Sequence, residues 1–120
     1  MPAPISASEV GRVYALKPQG SPMSADEFDR ICGSASPPAG LAAPLLALYW
    51  DARGDWERAH TVAQSIHAPS GSLVHAYLHR KEGDLSNARY WYERAGREPH
   101  RGTLDEEWNA IATEMCASAE

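Results

Sequence analysis

Gly54-Asp55-Trp56, followed by Ala59, returns as Gly83-Asp84-Leu85, followed by Ala88, a spacing of 29 residues (54 to 83), and each copy sits between two stretches of helix-like periodicity. A glycine that stops one helix, an aspartate that caps the next and a small residue one turn later punctuate a helical hairpin. Written twice at one spacing, this punctuation restricts the chain to stacked hairpins. The copies differ in a way that bears on chemistry. Leu46, Ala47 and Trp50 of the first correspond to His75, Ala76 and His79 of the second, so imidazoles stand where the first copy has leucine and tryptophan.

The remaining signals extend the helical pattern. Ser24-x-x-Glu27 is a capping box ahead of Phe28, Ile31 and Cys32, which predicts a short helix ending near Gly33. After the Ser/Pro/Gly-rich segment 34–40, Pro44 opens a run that stops at Gly54, and Asp55 caps a helix to about Ile66. Pro69 starts a fourth helix that ends at Gly83. Asp84 caps a fifth, which Gly96 stops. Thr103-x-x-Glu106 is a second capping box, before a stripe of Leu104, Trp108, Ile111, Ala112 and Met115. Residues 1–23, with prolines at 2, 4, 18 and 22, predict an irregular arm, with a strand or covering segment open for Glu9 to Lys17. The expectation is all-α: one helical-repeat domain over 24–120 behind that arm.

Gly83-Asp84, Ala88, Tyr92 and Ala95 resemble the turn and second helix of a tetratricopeptide repeat, and Ala88-x-x-Trp91-Tyr92-x-x-Ala95 is similar to its Sel1-type variant. The resemblance covers about residues 41–96. It implies two tetratricopeptide-like hairpins flanked by an N-terminal and a C-terminal capping helix, and a role in holding other chains. The period is shorter than the family's roughly 34 residues, and two hairpins are fewer than such solenoids need. The first and last helices, or homodimerisation, are expected to cover the ends. The segment Gly54 to Arg97, with its HAYLHRKEGD and YWYxRAGR runs, also resembles a group of small bacterial and fungal proteins to which no activity attaches.

Composition excludes several classes. The 120 residues carry 11 Lys and Arg against 16 Asp and Glu, a formal charge of −5, with the bases interspersed among acids. That argues against nucleic acid and anionic membrane as partners. Cys32 and Cys116 form no CxxC pair, so they are expected to be free thiols, with a single disulfide between them left open. Met1-Pro2-Ala3-Pro4 begins no signal-peptide pattern, and the run Leu41 to Trp50 is too short to cross a bilayer. These features together predict a cytoplasmic protein. No phosphate loop, nucleophile elbow, dinucleotide fingerprint or HExxH motif is present.

Chemistry therefore concentrates on the histidines. His75 and His79, four apart, share one helix face about 6 Å apart along the axis. That spacing suits a divalent metal such as zinc, with His60 as the third ligand from the neighbouring helix. Glu82 lies on the same side, and Tyr92 or Tyr77 could position substrate or carry a proton. The catalytic candidates are accordingly His75, His79, Glu82 and Tyr92, and the metal candidates His75, His79 and His60. The reaction this predicts is attack of a metal-activated water on an ester, amide or phosphoester. Against it stands burial of the same rings as packing, satisfied by Tyr49, Tyr77, Tyr90, Tyr92, Asp55 or Glu82. The other functional reading is a protein-interaction or self-associating scaffold, binding a protein, a peptide or a second copy through Tyr49, Trp50, Tyr90 and Trp91.

Overall fold

The computed structural model describes residues 23–118. Among these the chain forms six α-helices and no strand: α1 (Ala25–Cys32), α2 (Ala43–Ala52), α3 (Trp56–Gln64), α4 (Pro69–Lys81), α5 (Leu85–Ala95) and α6 (Leu104–Ser118). The all-α class expected from the periodicity is the class observed. All but the last residue of the expected arm, including Glu9 to Lys17, lies outside the described residues.

Local chemistry fixes where these helices begin. Ser24 Oγ accepts from the Glu27 amide at 3.0 Å. At α6 the capping box is reciprocal: Thr103 Oγ1 accepts from the Glu106 amide at 3.0 Å, and Glu106 Oε1 accepts from the Thr103 amide at 2.9 Å. Asp55 and Asp84 accept from the Arg58 and Asn87 amides at the starts of α3 and α5.

The two Gly-Asp turns are built alike. Gly54 and Gly83 adopt φ of 83° and 91°, the left-handed region in which a side chain is strained. The amides of Asp55 and Asp84 each reach back to a carbonyl five residues earlier, Trp50 and His79, at 2.9 Å. Both turns reverse the chain, so α2 packs on α3 and α4 on α5.

The core assembles around α4, which packs against α2, α3, α5 and α6. Every residue from Gly71 to His79 is buried, so this helix has no solvent face through its middle. Gly71 permits the approach to the end of α3. A Cβ at Gly71 would sit 2.6 Å from the Ile66 carbonyl oxygen.

The flanking helices take one side of this stack. α1 and α6 pack on each other, with Phe28 stacked on Trp108 at a ring separation of 5.7 Å, and both lie against α2. Among the described residues the α5 backbone approaches closely only that of α4, and α3 and α5 do not pack together. A cleft therefore remains between the α3 and α5 backbones, floored by α4, and side chains fill it over His75 and His79, which are buried. No helix among the described residues is long and apolar enough to cross a membrane.

Candidate metal centre

The cleft is where the histidines meet. His75 and His79 project from successive turns of α4, and the packing of α3 on α4 brings His60 across to them. Ring centres lie 4.5 Å apart for His60 and His75, 5.1 Å for His60 and His79, and 4.8 Å for His75 and His79. Each ring offers a nitrogen, and these three atoms lie within 4.8 Å of one another. Two tryptophans bracket the cluster. Trp91 of α5 stacks on His75 at 3.9 Å, while Trp56 of α3 stacks on His60 at 4.8 Å and meets His79 edge-on at 6.0 Å. Trp56 is itself pinned, because its Nε1 donates to the Leu78 carbonyl at 2.9 Å.

Electrostatics keep the rings available as ligands. Burial, reinforced by the neighbouring His60 and His79, pushes His75 down from 6.5 to about 4. His60 is also lowered, first by burial and then by His79. Both are neutral at pH 7 and retain a lone pair, the state in which imidazole binds metals. Glu82 Oε2 lies 2.7 Å from His79 Nδ1. A carboxylate only accepts, so Nδ1 carries the proton of this hydrogen bond, and Nε2 is the nitrogen left for an ion. This is how metal-ligating histidines are commonly oriented from behind.

The dimensions suit one ion. With metal–nitrogen bonds near 2.0–2.1 Å, three imidazoles on a tetrahedral ion have ring centres about 5 Å apart and nitrogens about 3.3 Å apart. The observed ring separations already match that value. Small rotations of the rings would bring the nitrogens together. Three ligands from the described residues would leave a fourth position for water or substrate, as in catalytic zinc sites. A second grouping, His79 with Glu82 and Asp84, is less suitable, since Asp84 is committed to capping α5.

Other residues singled out in the sequence lie elsewhere. Tyr92 is a correction. Its hydroxyl donates to Glu107 Oε2 at 2.5 Å on the α6 side of the stack, so it faces away from the triad. Adjacent helical residues diverge by about 100°, which is why Trp91 rather than Tyr92 meets His75. Tyr77 is likewise occupied, donating to Asp51 Oδ2 at 3.0 Å, while Lys81 pairs with Asp51 Oδ1 at 2.8 Å. Tyr49 is a second correction, because it is wholly buried with its hydroxyl on the Ser34 carbonyl and presents nothing to a partner. Trp50 is half-buried beneath Arg58, whose guanidinium lies 4.2 Å above its ring, and Tyr90 is exposed. Trp56 is the wall that sequence reasoning missed. Its place directly after Asp55, one turn before His60, was the available signal.

Neither family models nor curated proteins nor solved structures yield a match to this chain. The tetratricopeptide and Sel1 likeness therefore rests on the residues quoted for it.

Proposed function

We propose that this chain binds one divalent cation of zinc type through His60, His75 and His79, and that the centre serves a small hydrolase acting on ester or amide bonds. The convergence of three imidazoles, with ring centres 4.5 to 5.1 Å apart, carries the reading. A packing role explains it less well. Replacing leucine and tryptophan slots by histidine forfeits apolar burial of roughly 1.5–3 kcal/mol per side chain, and the triad's one hydrogen bond among the described residues is His79 to Glu82.

In this reading His60, His75 and His79 hold the ion, and Glu82 orients His79. Trp56 and Trp91 exclude water from the ring faces. When bound, the ion would supply Lewis acidity and activate a water for attack. Hydrolysis then adds one water across the acyl bond, giving a carboxylate and an alcohol or amine.

Isothermal titration of untagged, metal-free protein with zinc, checked by elemental analysis, tests this. The expected result is one equivalent bound, lost in His60→Leu and His79→Leu variants that keep their helical circular dichroism. Glu82→Gln should bind about tenfold more weakly. Sub-stoichiometric binding indifferent to these variants would sink the proposal. The scaffold reading draws on Tyr90 and Leu85, both exposed on α5; a concentration-dependent dimer in sedimentation would support it.

A further inference from the structure

The cleft does not end at the histidines. Along the same face of α4, towards its N-terminus, it widens into a groove of about 430 Å³ whose walls include Gln64, His67, Ser72, Trp91 and Arg94. That volume falls within the range of small-molecule sites. Ser72 stands one turn before His75 on α4, and Gln64 one turn after His60 on α3. Trp91 belongs to both places, since the ring that stacks on His75 also lines the groove. Trp91 is thus a wall that the triad and the groove share.

Charge in the groove has one sign. Among the described residues, no carboxylate lines it. Arg94 sits one turn, roughly 5 Å along the axis, beyond Trp91 on α5. Its guanidinium is steadied by the Trp91 ring at 5.4 Å and the Tyr90 ring at 5.8 Å, and among the described residues no carboxylate pairs with it. A guanidinium held on an aromatic wall, with donors still free, is the fork that takes a carboxylate in two parallel hydrogen bonds. The N-terminus of α4 opens on the same groove, at Ala68 and Pro69, and adds positive potential.

We infer that groove and triad act together as one substrate channel, which selects small acyl substrates carrying a free carboxylate, with the reacting carbonyl at the histidine centre, the connecting carbons along Trp91 and the carboxylate on Arg94. This rests on the metal-centre reading above. It adds a specificity-determining residue, Arg94, and a substrate class, ω-carboxy esters or amides.

The test uses zinc-loaded full-length protein and ω-carboxyalkyl hydroxamates of graded chain length, each with its methyl ester. The hydroxamate supplies a metal-directed group and the ester removes only the charge. Metal content is measured on the same samples. At the best chain length the acid should bind about tenfold more tightly than its ester, the worth of a charge-assisted hydrogen bond. Arg94→Gln should abolish that difference while retaining a full equivalent of zinc. Equal binding of acid and ester by zinc-loaded protein, or a preference that survives Arg94→Gln, overturns the inference and leaves the metal centre standing. A chain that takes up no zinc overturns both.

Discussion

At the scale of single residues, His75 is where the site and the stability of the chain meet. It is buried against Trp91, His60 and His79, and its folded-state value of about 4 lies below the ordinary 6.5. Above pH 6.5 neither the folded nor the unfolded ring is charged, so this histidine contributes no pH dependence. Between 6.5 and about 4 the unfolded chain takes up a proton that the folded chain refuses, and stability falls as pH falls. Below about 4 both forms are protonated and the loss levels off, at no more than on the order of 3 kcal/mol. His60 is lowered as well and acts in the same direction. Urea unfolding of the metal-free protein across this range should show the decline, and His75→Leu, which restores the residue type of the first copy, should remove most of it. A wild-type profile that stays flat on acidification would contradict the burial of this ring. Zinc bound as proposed should deepen the acid sensitivity, because protons and metal would compete for the same lone pairs.

At the scale of helices, the sequence was most legible where the signal is local. The capping serine and threonine, the two Gly-Asp turns and the stop at Gly96 mark helix ends that the structure places within about two residues, because a cap or a left-handed glycine acts on its own turn. His60 was legible because α3 and α4 are successive helices. Trp91 and Tyr92 were not separable, since either could face α4 until the rotation of α5 was known. Gly71 was hidden for another reason. In Pro69-Ser70-Gly71-Ser72 it looks like turn chemistry, yet it is a helical residue pressed against Ile66. Gly71→Ala weighs two effects. Alanine gains about 1 kcal/mol of helix propensity, but its methyl would fall 2.6 Å from both the Ile66 carbonyl oxygen and Cβ. The carbonyl belongs to the backbone and cannot rotate away, so overpacking of about 1–3 kcal/mol should win. A lower melting temperature is expected, with weaker zinc binding because α4 must back away from α3. A melting temperature at or above wild type would show that the α3–α4 junction yields freely.

At the scale of the whole molecule, α4 turns different sides to different tasks. His75 and His79 look into the α3–α5 cleft, Tyr77 and Lys81 reach Asp51 of α2, and Arg80 reaches α6. The stripe on α6 announced a buried face but not its destination, so the side on which α1 and α6 settled was beyond sequence reasoning. Glu107 decides how α6 is held there. It is almost wholly buried, accepts from Arg80 Nη1 at 2.7 Å and from the Tyr92 hydroxyl at 2.5 Å, and so joins α4, α5 and α6 at one carboxylate. Arg80 also donates to the Gly102 carbonyl, which closes the loop before α6. Glu107→Ala strands a largely buried guanidinium and a buried phenol, and should destabilise the chain by about 3 kcal/mol or more. Arg80→Met with Glu107→Leu and Tyr92→Phe removes the polar groups together and should return most of that loss, since a well-packed apolar replacement of a buried ion pair is often neutral. The network leaves α4 at Arg80, about 100° round the helix from His79, and faces α6. In either variant, measured where the protein is still folded, zinc affinity should therefore remain at the wild-type value. A parallel loss of zinc affinity would mean that the two sides of α4 act as one unit, with the metal centre dependent on how α6 is docked.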